Sequence, residues 1–76
     1  MLVVVAAAAH GSDLVAGEAA LRRGEYAVAL SELRPLATRG MAAAQADIGV
    51  MYQQGLGVTR NIAQAREWYL KASTQG

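Results

Sequence analysis

Ile48 to Gly76 reads IGVMYQQGLGVTRNIAQAREWYLKASTQG, and this stretch decides the fold. Two helical patterns flank the loop Gly55-Leu56-Gly57-Val58. The first carries Ile48, Gly49, Met51 and Tyr52; the second carries Ile62, Ala65, Trp68, Tyr69 and Ala72. Apolar residues three or four apart line one face of a helix. The small residues Gly49 and Ala65 lie within those faces and let two backbones approach closely. These residues therefore predict a helical hairpin that must bury its face against a neighbour.

The same residues resemble the Sel1-like repeat, a relative of the tetratricopeptide repeat. The match runs from Met41 to Gly76. It is carried by Ala42, Ala44, Gly49, Met51 and Tyr52, then by the loop residues Gly55, Gly57 and Val58. It continues through Ala65, Trp68, Tyr69, Lys71, Ala72 and Gly76. The G-x-G-V loop and the W-Y-x-K-A run stand at the family's separation. Departures are mild: Ile48 for leucine, Asn61 for aspartate and Ser73 for alanine. Asn61 keeps a side-chain oxygen able to cap the second helix.

Working towards the N-terminus, the chain repeats itself. A shift of 36 places Tyr26 on Ile62, Ala29 on Ala65, Leu33 on Tyr69, Leu36 on Ala72 and Gly40 on Gly76. A shift of 32 places Gly17 on Gly49, so the second loop is four residues longer. A period in this range signals a solenoid. Gly17, Gly24, Tyr26 and Ala29 make the first unit resemble a tetratricopeptide unit, with Ala20 standing where that pattern has an aromatic. Ser12 or Asp13 is expected to cap its first helix. Pro35 lies in its second helix and removes a backbone donor, at about 3 kcal/mol in a helix interior. A kink between Ser31 and Pro35, or a restart there, is expected.

Met1 to Ala9 reads MLVVVAAAA. That is too short for a membrane span, which needs about 20 residues. It has the length of a signal-peptide core, though without a basic stretch before it. Two expectations follow: a remnant of an export signal, or an apolar arm of the fold. The domain reading is thus an apolar segment over 1–11, a tetratricopeptide-like hairpin over 12–40 and a Sel1-like repeat over 41–76. The fold class is all-α, two stacked helical hairpins forming a short right-handed α-solenoid.

Composition narrows the function. The chain has 76 residues and a net charge of +1, far from a nucleic-acid-binding balance. A domain this small buries only about 60% of the surface its unfolded chain exposes. With no cysteine, neither a disulfide framework nor a thiolate zinc site is available. His10 is the only histidine and has no partners at metal-ligand spacing. The serines lack a nucleophile elbow. Gly55-Leu56-Gly57 is not a phosphate loop, because a helix precedes it and no Lys-Ser/Thr follows. Its glycines are expected to supply positive φ angles. Tyr69 is expected in the core, with Ile62, Ala65 and Ala72. Trp68 and Tyr69 are expected to lack part of their cover, because the second helix of a unit supports the first helix of the next. Glu18 and Asp13 read as surface or capping groups, and no paired carboxylates stand out.

No catalytic residue, metal or cofactor is therefore expected. Stacked hairpins make a groove lined by the first helix of each unit, suited to a peptide or a partner's surface. The resemblance implies Glu18 and Arg22 as groove residues in the first unit. In the second it implies Ala46, Asp47, Val50, Gln53 and Gln54. It also implies an adaptor or scaffold role in protein assemblies, and in bacteria many such proteins carry export signals. The compartment is then periplasmic or secreted if Met1–Ala9 is an export signal, and cytoplasmic otherwise. Two other roles stand beside it. One is structural, as the capping unit of a longer array or a self-associating chain joined through the open C-terminal face near Trp68. The other is a cell-wall hydrolase, for which the sequence supplies no nucleophile with a base.

Overall fold

A computed structural model describes the backbone of residues 4–75 and the side chains of residues 13–74. The chain forms four helices: α1 (Val4–Arg22), α2 (Tyr26–Thr38), α3 (Ala42–Gln54) and α4 (Ile62–Gln75). Helix α1 packs on α2, α2 on α3, and α3 on α4. Two hairpins are thus stacked through their inner helices. The slab they make is 45 × 28 × 14 Å, too thin to enclose a central core.

The core is instead a seam between the hairpins. The largest fully buried side chains are Leu33 and Leu36 of α2 and Ile48 and Met51 of α3. Small residues close each hairpin around that seam. A Cβ on Gly17 would lie 2.7 Å from Leu33 Cδ2, and a Cβ on Gly49 would lie 2.8 Å from the Tyr69 ring. Ala20, Ala29, Ala44 and Ala65 are also buried. The expectation that small side chains set the helix spacing therefore holds in both hairpins.

The longer second loop is fixed by hydrogen bonds at both ends. Gly55 takes the left-handed conformation at φ 71° and caps α3, while Leu56 N donates to Met51 O at 2.9 Å. Gly57 also has a positive φ of 73°, as expected, and a Cβ there would meet Tyr26 Cβ at 2.6 Å. The loop therefore rests on the start of α2 in the other hairpin. Asn61 N donates to Tyr52 O at 2.8 Å, and Asn61 Oδ1 accepts from Gln64 N at 3.0 Å. Asn61 caps α4 as its sequence position implied.

Two expectations about the first hairpin are corrected. Helix α1 (Val4–Arg22) runs through Ser12 and Asp13, so neither residue begins it. The alanine run Ala6–Ala9 has the strongest helix propensity of any residue type and carries the helix across Gly11. The helix does not restart at Pro35, because α2 continues unbroken to Thr38. Pro35 and Ser31 are both exposed, so the carbonyl that loses its donor faces solvent. The apolar segment up to Val3, the side chains of His10 and Ser12, and Gly76 lie outside the described residues. Among the described residues no helix is long and apolar enough to cross a membrane.

Candidate functional site

The expected groove residues fall on two neighbouring first helices. Glu18 and Arg22 are one turn apart on α1, and Ala46, Asp47, Val50 and Gln54 follow one face of α3. The two faces approach each other where the Glu18 carboxyl lies near enough to Asp47 to push its carboxyl up. Glu18, Ala46, Asp47 and Val50 are half-buried, whereas Arg22 and Gln54 are exposed. Val15, 65% exposed and three residues before Glu18, adds an apolar contact point to the same face. The sequence reading had passed over it.

Gln53, seven residues after Ala46, lies at the edge of that face nearest α4. Its Oε1 accepts from the Tyr69 hydroxyl at 2.7 Å, and its carbonyl accepts from Arg60 Nε at 3.0 Å. It therefore faces α4 and the open end of the stack. There it lines a cavity of about 180 Å³ with Ile62, Ala65, Arg66 and Tyr69. Ile62 is 40% exposed, and the Tyr69 ring is half-buried against Gly49. Tyr69 thus lacks part of its cover, as expected, whereas Ile62 is more exposed than a core position, because no described helix packs on this face of α4. By the 36-residue shift, it corresponds to the face of α2 that α3 covers.

Trp68 points to a different place. It is half-buried and packs against the central seam. It lines a second cavity of about 370 Å³ beside the α2–α3 turn, away from the open end. The face expected to be open near Trp68 is thus the one near Ile62 and Tyr69.

The Glu18–Asp47 contact is the electrostatic feature that sequence reasoning missed. Burial of Asp47 pushes its carboxyl up to about 7, and the Glu18 hydrogen bond and charge push the same way. Asp47 Oδ2 is buried and meets no hydrogen-bond donor. Two carboxyls can hydrogen-bond only if one keeps its proton. The two residues stand 29 apart in the sequence, so no local spacing signalled the pair.

The geometry suits a surface more than a reaction. Of the expected groove residues, only Gln53 lines one of the three cavities described, and its cavity is at the open end. The α1–α3 face presents mixed apolar, acidic, basic and amide groups. Such a face fits an extended segment or a partner's surface better than an enclosed small molecule. Among the described residues no group of three or more potential metal ligands comes together.

Residues 42–76 match the family model of the Sel1 repeat. The chain is also 42% identical over 40 residues to chitin synthase regulatory factor 3 of Schizosaccharomyces pombe, a match that takes in 53% of this chain and 4% of that protein. The chain thus spans a small fraction of that relative's length. No solved structure matches it.

Proposed function

From the match of residues 42–76 to the Sel1 repeat model, we propose that the chain is a non-catalytic adaptor module. It binds a peptide or protein surface along the face shared by α1 and α3. The observation that carries this is the meeting of Glu18 and Asp47. It brings the first helices of both hairpins onto one surface, flanked by Val15, Arg22, Val50 and Gln54. Sel1 repeats generally serve protein interaction, and the matched relative is named for a regulatory role. Both support an adaptor over a hydrolase.

A photo-crosslinking amino acid placed at Val15 or Gln54 tests the surface. Both positions are exposed, so the fold tolerates the change. Crosslinks from both to one protein in the source cells are expected, with none from Val28, which is also exposed but lies on α2. Equal capture from Val28 would overturn the assignment.

A structural role is favoured by the uncovered face around Ile62 and Tyr69. There the module meets a further repeat or a second copy. Sedimentation separates the two: a monomer at low micromolar concentration, unaffected by Ile62→Glu, excludes a second copy.

A further inference from the structure

Helix α4 leaves one stripe of its surface uncovered. Ile62, Arg66, Tyr69 and Ser73 follow each other at steps of four, three and four residues, the spacing of a seam between paired helices. Ile62, Arg66 and Ser73 are exposed and Tyr69 is half-buried. Ile62, Arg66 and Tyr69 line the cavity of about 180 Å³ at the open end. Leu70, 63% exposed, flanks them. The Tyr69 hydroxyl donates to Gln53 Oε1 at 2.7 Å, and Ser73 Oγ donates to Leu70 O at 3.0 Å. Arg66 makes no hydrogen bond, ion pair or ring contact among the described residues.

Under the 36-residue shift, Arg66 stands where α2 has Leu30, Tyr69 where it has Leu33 and Ser73 where it has Ala37. Leu33 and Ala37 are buried, and Leu30 packs on the core. An apolar helix laid on α4 as α3 is laid on α2 would bury the Arg66 guanidinium without a partner, which is costly. Helix α1 of another copy, the counterpart of α3 under the 32-residue shift, contains no Phe, Tyr or Trp and ends in Arg22, a second cation. A copy of α4 itself supplies what is missing. The stripe read backwards sets Tyr69 opposite Arg66 and Ser73 opposite Ile62.

We propose that α4 pairs with α4 of a second copy, antiparallel about a twofold axis. The Arg66 guanidinium of each copy lies on the Tyr69 ring of the other, a cation–π contact made twice. Ile62 of each packs beside Ser73 of the other, large against small. The Tyr69 hydroxyl and Ser73 Oγ already have acceptors, so burying them strands no donor. The interface is isologous, so it closes at two copies rather than growing into a fibre. The pairing rests on the reading above that the α4 face meets a further repeat or a second copy, and it commits that face to the copy.

The chain has no cysteine, so single cysteines introduced on α4 report the pairing. Ile62→Cys and Ser73→Cys, mixed and oxidised with glutathione disulfide, should give a covalent dimer. Neither variant alone should, because two equal positions stand about 16 Å apart in this register, beyond the reach of a disulfide. In sedimentation equilibrium the parent should be a dimer at low micromolar concentration. Arg66 is exposed, so Arg66→Gln should keep the circular dichroism of the parent and dissociate about tenfold more readily. Tyr69→Phe keeps the ring and should remain a dimer. A dimer whose mixed cysteines join no faster than either variant alone overturns this arrangement and places self-association elsewhere on the chain. A dimer undiminished by Arg66→Gln overturns it too. A monomer overturns both the arrangement and the second-copy reading of the α4 face.

Discussion

Ala65 shows how little room separates α3 from α4. It is 2% exposed, and the paired position Gly49 already touches the Tyr69 ring. Extra methylenes in such a contact force side chains off their rotamers or move the backbone, at about 1–3 kcal/mol. Ala65→Leu should therefore lower the unfolding free energy by about 1–3 kcal/mol, read as a lower urea midpoint at an unchanged slope. An unchanged midpoint would mean that α4 can shift outward at no cost. Glycine and alanine at these positions were legible from the sequence because helical spacing placed them on inward faces. Tyr69 was only partly legible. Its position on the face was right, but its cover depends on what stands beyond α4, which spacing within one helix does not encode. Gln45 was not legible at all. A glutamine near the start of a helix reads as solvated, and only the docking of α2 against α3 buries it.

The second hairpin, as an element, is held by its ends as much as by its faces. Asn61 accepts from Gln64 N through its side chain, and its own N–H closes the loop onto Tyr52. Removing the side-chain cap leaves an unsatisfied donor in the first turn of α4 and costs about 1 kcal/mol. Asn61→Ala should lose about that much in urea denaturation, whereas Asn61→Asp should retain the cap and the stability. Equal loss in both would assign the effect to the loop rather than the cap. The cap and the αL glycines were predictable because each depends on residues within one turn. The passage of α1 through Ser12 and Asp13 and of α2 through Pro35 was not. The alanine run outweighs the local cap signals in one case. In the other, exposure of Ser31 and Pro35 removes the burial penalty that would otherwise break the helix.

At the scale of the whole molecule, the two hairpins are joined by an apolar seam and by one acidic contact, and these respond differently to pH. Leu33, Leu36, Ile48 and Met51 make neither hairpin complete without the other, so unfolding should be a single transition. Glu18 and Asp47 lie across the same junction. Asp47 ionises near 3.8 when free of the fold and near 7 within it. Below about pH 4 both states hold the proton, and stability is complete. Between those values the unfolded chain releases it while the folded chain keeps it, so stability falls as pH rises and levels off above about 7. The pair is only half-buried, and solvent screening brings the loss to the order of 1 kcal/mol. Thermal unfolding should show a lower Tm at pH 8 than at pH 5. Asp47→Asn cannot ionise and can still donate to Glu18, so it should flatten that dependence and raise the Tm at pH 8. A variant that keeps the parent's pH profile would move the effect to another group and take the Glu18–Asp47 pair out of the pH response.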